Sequence, residues 1–381
     1  MNVVKKNLVK KNVATKLLVL LIPFLILMGC SNQTAQDPGT TEGNSEKSTR
    51  LITDMMGREV EVPSEINSII CTGSGALRLV AYADAMDLVV GVEDIDKNQE
   101  IKRAYNYIYH DQLKDLPTIG KGGGRGYTAY EEQIITLQPD VILTFYNSDA
   151  LEQLADKTGI PVVSIATQAN LFGEDTNQAL QLIGDLLGKE ERTEAVIGYL
   201  EEYKADLNNR TKDIPENEKP TVYPGAVTYN GARGFAGTYG ELGPLKAINA
   251  INVADETGQT VGFEVDWEKI QVWDPDYIFL DPGNMNLVNE EYGKKTDYFN
   301  SLSAVKEGKV YSMISFNNYS TNLELAIADA YYAGKVIYPE EFADIEIEAK
   351  TDEIFTKFLG KGIYQEMKEA GLTFGKITLG Q

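Results

Sequence analysis

From Leu51 onward, short runs of β-branched and apolar residues alternate with helical segments. Residues 66–72 (INSIICT) form a strand candidate that runs into Gly73-Ser74-Gly75. A helix is predicted over 76–85, with Leu77, Val80 and Ala81 on one face, and a strand over 88–93. Strands at 140–145 and 161–166 bracket a helical stretch at 150–158. Unbroken apolar runs of this length, separated by helices, indicate parallel strands buried on both faces. Residues 176–208 then read as long and helical, with a break near Gly188. Val196, Leu200, Tyr203 and Leu207 fall on one stripe of a 3.6-residue period. A polar break at 213–219 precedes a second strand-helix series, with strands at 221–228, 276–280 and 309–315.

A weak internal repeat points to two equivalent halves. Glu132-Gln133-Ile134, four residues, then Pro139-Asp140-Val141-Ile142-Leu143 matches Glu268-Lys269-Ile270, four residues, then Pro275-Asp276-Tyr277-Ile278-Phe279. Each reads as a short amphipathic helix stopped by a proline, with an aspartate opening a buried strand.

The first 29 residues are an address. Lys5, Lys6, Lys10, Lys11 and Lys16 precede an apolar run at 17–28, interrupted only by Pro23. A basic segment followed by a short apolar one is a secretory signal, and the run is short for a membrane span, which needs ~20 apolar residues. It closes on Met28-Gly29-Cys30-Ser31, which resembles the bacterial lipoprotein signal, although Met28 departs from the small residue usual there. The reading is therefore a signal peptide at 1–29, a lipidated Cys30, and a flexible tether running to residue 50 that is rich in Ser, Thr, Gly, Asn and Gln. Beyond it, the boundaries fall at 51–187 for an N-terminal lobe, 188–212 for a connecting helix and 213–381 for a C-terminal lobe with C-terminal helices.

Composition narrows the chemistry. A length of 381 residues with 43% hydrophobic and 24% charged residues suits two globular domains. A net charge of −22 excludes recognition of nucleic acid or anionic lipid through the bulk field. A single histidine, His110, excludes a histidine-rich metal site and disfavours a Ser-His-Asp triad. Two cysteines make no disulfide framework, and Cys71 on an apolar strand reads as a buried inert thiol. The glycine-rich stretch at 120–126 lacks the Gly-Lys-Ser/Thr ending of a phosphate loop. Tyr105, Tyr107 and Tyr109 alternate beside His110, a spacing that fits a strand or a packed loop.

Three segments resemble one family: ITDMMGREVEVP at 52–63, YTAYEEQIITLQPDVIL at 127–143 and VDWEKIQVWDPDYIFL at 265–280. Together with the signal, their order is similar to that in the substrate-binding lipoproteins of ABC importers for ferric siderophores, haem and cobalamin. The resemblance implies an α/β fold of two Rossmann-like lobes with parallel sheets. One long helix joins them, and the ligand lies in the cleft between. It also implies a monomer with no resident cofactor, working with a permease and its ATPase, anchored to the outer face of the cell membrane through its lipid. In the cobalamin and siderophore relatives one glutamate per lobe meets arginines on the permease; the equivalents by position are Glu132 and Glu268.

Ligands of open α/β sheets sit outside the carboxyl ends of strands. That rule nominates Ser74, Arg125, Tyr127 and Tyr146 in the first lobe, and Tyr229, Arg233, Phe235 and Tyr319 in the second. The aromatic rings offer rigid contact area, and the arginines can clamp carboxylates or an oxyanion. The leading expectation is a non-catalytic receptor for an iron chelate of the siderophore type. Haem or a corrinoid, and then an oxyanion such as molybdate, are the alternatives. A secreted hydrolase using carboxylates is the rival of another class, though no Gly-x-Ser-x-Gly elbow is present.

Overall fold

The structure is a computed structural model that describes residues 48–123, 129–146, 150–168 and 170–381. It begins with an antiparallel hairpin of β1 (Thr49–Thr53) and β2 (Glu59–Pro63). Asp54 organises the turn: its Oδ1 accepts from the amides of Met56 and Arg58, while Gly57 takes a φ of 77°. Its Oδ2 accepts from Arg58 Nε at 3.0 Å and from the Ser164 amide at 3.1 Å, which docks the hairpin on the edge of the first sheet.

That sheet holds β3 (Ile69–Thr72), β4 (Val89–Glu93), β5 (Thr118–Gly120), β6 (Val141–Thr144) and β7 (Val162–Ser164). All are parallel, in the order β5-β4-β3-β6-β7. Every residue of β3 and β6 is buried, as unbroken apolar runs require. The second half contributes β8 (Thr221–Gly225), β9 (Gly237–Tyr239), β10 (Ile251–Asn252), β11 (Gly262–Glu264), β12 (Tyr277–Leu280) and β13 (Val310–Ser312). Its main sheet is parallel in the order β10-β8-β12-β13, and β9 pairs with β11 as an antiparallel ribbon. Strand order reverses between β3 and β6 in one sheet and between β8 and β12 in the other. Such switch points open crevices at the carboxyl ends of strands.

The long helical stretch is two helices. Glu174–Leu187 ends at Gly188, which adopts the left-handed conformation (φ 65°), and Glu190–Thr211 follows. The two cross tightly, because a Cβ on Gly184 would lie 2.2 Å from Thr193 Oγ1. Val196, Leu200, Tyr203 and Leu207 are all buried. They face C-terminal helices Leu323–Ile337 and Ile347–Leu359, where the Tyr203 ring meets Tyr331 edge-on at 5.9 Å.

These C-terminal helices also pack on the first half. Tyr82, in helix Ala76–Tyr82, sets its ring 5.2 Å from Phe358. Arg192 of the linking helix donates to the carbonyls of Tyr82, Lys357 and Phe358. One continuous hydrophobic core therefore contains Ile69 and Leu143 of the first sheet, Val222 and Phe279 of the second, and Leu200, Ala326 and Phe355 between them. The tyrosines at 105, 107 and 109 lie on a helix, Ala104–Leu113, not on a strand or loop. Tyr105 is buried against Asp96, and the other two are half-buried. Cys71 is a buried free thiol whose pKa burial pushes up.

Candidate functional site

The carboxyl ends of the two sheets face a groove. On the first side β3 runs into Gly73, Ser74 and Gly75, with φ of 83° at Gly73 and 112° at Gly75. Both glycines are needed for close approach as well as for conformation. A Cβ on Gly73 would lie 3.3 Å from the Tyr146 ring, and one on Gly75 would lie 3.2 Å from Ser320 of the other side. The Gly73 amide donates to Glu93 Oε1 at 3.1 Å. Glu93 is buried at the end of β4, and that burial pushes its carboxyl up to about 7 against the pull of the Gly73 bond. Tyr146 is half-buried, and its amide donates to Thr144 Oγ1.

On the second side, Asp281 follows β12 and gathers its neighbours. Its Oδ2 accepts from Thr228 Oγ1 at 2.6 Å and from Asn284 Nδ2 at 3.2 Å, and its Oδ1 accepts from the Gly283 amide at 2.8 Å. Burial raises its pKa, and these hydrogen bonds oppose that. Lys102 of the first half reaches over, since a Cβ on Gly283 would lie 2.7 Å from its Nζ. Arg233 stacks on the Tyr229 ring at 4.4 Å, donates from Nε to the Tyr229 carbonyl at 3.2 Å, and pairs through Nη1 with Glu264 at 3.5 Å. Its charge is thus partly committed before any ligand arrives. Tyr319 is 39% exposed and adopts a φ of 54°, beside Ser320 at 75°. Two consecutive non-glycine residues in the left-handed region cost about 1–2 kcal/mol each.

A cavity of about 760 Å³ opens beside these loops. It is lined by Gln168 and Asn170 beyond β7, by Lys204 and Asn208 of the linking helix, and by Tyr239 and Val261. Asn317 and Thr321 also line it. Two smaller cavities share its lining. One reaches Thr228, Asp281 and Ser315; the other reaches Gly75 and Phe145. The three cavities therefore neighbour one another between the two sheet ends, and the main chamber is of the size that holds small organic ligands, roughly 300–1,000 Å³.

Among the residues nominated from sequence, Ser74, Tyr146, Tyr229, Arg233 and Tyr319 sit in the strand-end loops around the groove, but none lines the main chamber. Arg125, Tyr127 and Cys30 lie outside the described residues. Phe235 points the other way. It is fully buried, with ring centroids 4.7 Å from Phe299, 5.4 Å from Tyr223 and 5.5 Å from Trp267, so it belongs to the aromatic core of the second half. Gln168, Asn170, Lys204, Asn208, Tyr239 and Val261 were not nominated. The strand-end rule applied to β7 reaches the first two; the lysine and asparagine occupy the polar flank of a helix read only for its apolar stripe.

Glu132 and Glu268 are exposed in the first turns of helices Glu131–Leu137 and Trp267–Trp273. Among the described residues, no cluster of three His, Cys, Asp or Glu side chains could hold a metal ion. None of the described helices is long and apolar enough to cross a membrane.

Comparison with known proteins agrees with this architecture. The molybdate-binding protein MolA of Haemophilus influenzae is 24% identical over 336 residues, 81% of this chain and 90% of that protein. A periplasmic solute-binding protein from Veillonella parvula superposes with a TM-score of 0.66 at 21% identity, covering 85% of this chain and 97% of its own. A TroA-like periplasmic binding protein, FepB, from the same organism gives 0.62 at 23% identity, with 82% and 97% covered. Such proteins are extracytoplasmic solute-binding components of ABC transporters, partnered by a permease and ATPase, and they are not enzymes. Matched over residues 69–315, the chain belongs to the periplasmic binding protein family.

Proposed function

We propose that this chain is the lipid-anchored receptor of an ABC importer and that its groove takes an iron chelate of the siderophore type. The observation that carries this reading is the main chamber, about 760 Å³ with a lining that mixes amide, hydroxyl and apolar groups with the charged side chains of Glu201, Lys204, Glu241 and Lys246. That space suits an organic scaffold already wrapped around its metal. A bare cation would need a carboxylate or imidazole cluster, and the described residues offer none. Gln168, Asn170, Asn208, Tyr239 and Asn317 hold the ligand inside the chamber, while Ser74, Tyr146, Tyr229, Arg233 and Tyr319, together with Arg125 and Tyr127, meet the parts of it that extend beyond the chamber towards the strand-end loops. Phe235 is not part of the set. Glu132 and Glu268 dock on the permease, and Cys30 carries the lipid.

Calorimetric titration with a panel of ferric hydroxamates and catecholates tests the reading. Saturable binding at micromolar or tighter affinity supports it, and no heat from any member removes it. Molybdate is the second reading, favoured by the name of the H. influenzae relative and by the arginine beside the groove. A tetrahedral oxyanion would fill only a small part of the chamber, so tight molybdate binding in the same titration would overturn the size argument.

A further inference from the structure

The loop that follows β13 comes from the second half, yet groups of the first half hold it. Arg78, in helix Ala76–Tyr82, is only 2% exposed. Its Nη2 donates to the carbonyls of Asn318 at 3.3 Å and Tyr319 at 3.0 Å, and its Nη1 to that of Thr321 at 3.2 Å. The guanidinium lies over the Tyr105 ring at 5.2 Å, which fixes its plane. Arg103, paired with buried Asp96 at 2.8 Å, covers the Tyr319 ring at 5.4 Å. Tyr82 receives the Leu323 amide on its hydroxyl at 3.2 Å, and Asn322 closes the turn on itself by donating from its amide to the Phe316 carbonyl.

We infer that Arg78 is a positioning residue of the ligand groove, holding the 318–321 turn so that Tyr319 and its neighbours are presented ready-made. Three features converge on this. The turn contains the consecutive left-handed residues Tyr319 and Ser320, which relax unless something fixes them. A buried guanidinium is costly, and here most of its donors go to the carbonyls of this one turn. Asn317 and Thr321, at the ends of the turn, line the main chamber. Lysine cannot reproduce the arrangement, because a single ammonium lacks the planar fork that reaches three carbonyls at once.

The inference rests on the groove being the ligand site, and the test separates the two. In the full chain carrying Arg78→Met, amide hydrogen exchange is followed at Asn322 and Leu323, and equilibrium dialysis measures binding of ferric desferrioxamine, a ferric trihydroxamate. Exchange at those amides should rise about tenfold while the linking helix keeps its protection. Affinity should fall about tenfold, because the competent conformation becomes a minor one. Adding Arg78→Met to a chain that already carries Asn317→Ala, Tyr319→Ala and Thr321→Ala should cost no further affinity. Equal losses in both backgrounds, or unchanged exchange at the turn, would overturn the positioning role. Should Arg78→Met fail to fold, Arg78→Lys must show the same faster exchange, and wild-type exchange in it refutes the inference. If Tyr229→Ala, Arg233→Ala and Tyr319→Ala all bind as wild type, the groove reading fails instead, and the exchange data still decide whether Arg78 holds the turn.

Discussion

Each half of the molecule has a corner where a short helix gives way to a buried strand, and the two corners share one hydrogen-bond plan, with one donor more in the first. In the first, Gln138 closes the helix in the left-handed conformation, and Asp140 Oδ2 accepts from the amides of Asn67 and Ser68 and from Ser68 Oγ. In the second, Asp274 closes the helix the same way, and Asp276 Oδ2 accepts from the amide and hydroxyl of Thr221. Each hydroxyl in turn accepts from the aspartate amide. The aspartate thus ties its own strand to the start of the strand across the switch point, β6 to β3 and β12 to β8. At the opposite ends of the same strands the likeness stops. The first half offers the glycines after β3 and, at the end of neighbouring β4, a buried Glu93; the second offers a buried Asp281 ringed by Thr228 and Asn284. The corners that build the fold share one chemistry, while the opposite rims differ.

The largest expected effect separates surface from fold. Glu132→Arg with Glu268→Arg should abolish uptake in cells while ligand affinity and unfolding midpoint stay unchanged; normal uptake would show these carboxylates to be incidental. Each single change should lower uptake less, since one lobe still docks. Next, Leu200→Ala should cost about 2–5 kcal/mol, because it empties a site in the core shared by both halves. Denaturant unfolding should still show a single transition, whereas two transitions would mean that the halves are stable apart.

The third prediction concerns the first rim. Glu93 has its folded-state pKa raised from 4.5 to about 7, so folding favours its protonated form. Its contribution is fully present below pH ~4.5 and is lost as pH rises through about 7, a change of at most about 3 kcal/mol. Glu93→Gln keeps an acceptor for the Gly73 amide and should flatten that part of the stability curve measured in urea between pH 4 and 8. An unchanged slope would show that Glu93 ionises freely in the fold. Smallest is the corner itself. Asp140→Ala should cost about 1–3 kcal/mol through its unsatisfied donors. Asp276→Ala should cost less, being exposed with one donor fewer. Equal costs would show that burial does not distinguish the two corners.

Much of the scaffold was legible because it is written in local periodicity. The helix at 150–158 has the expected bounds, Gly188 breaks the long stretch, and the buried strands fall inside the apolar runs. The repeat was legible as pattern, though not the αL caps at Gln138 and Asp274, which stop each helix one residue before its proline. The groove was only half legible. The strand-end rule places loops but does not say which way a side chain turns, so Phe235 was nominated although it fills a core. Residues spaced two apart at 105–109 suggested extended chain, yet burial against Asp96 and the first-lobe core favoured a helix. Lys204 and Asn208 line the chamber together with residues distant in sequence, such as Tyr239 and Asn317, a conjunction that no local pattern records.

The shared core has a calorimetric consequence. Two halves already fused through Leu200, Ala326 and Phe355 have little further apolar surface to hide when a ligand enters. The heat-capacity change of binding should then follow the buried surface of the ligand and chamber rather than any hinge closure. Different ligands of this receptor would rank by their own apolar area, with the protein contributing a nearly constant background.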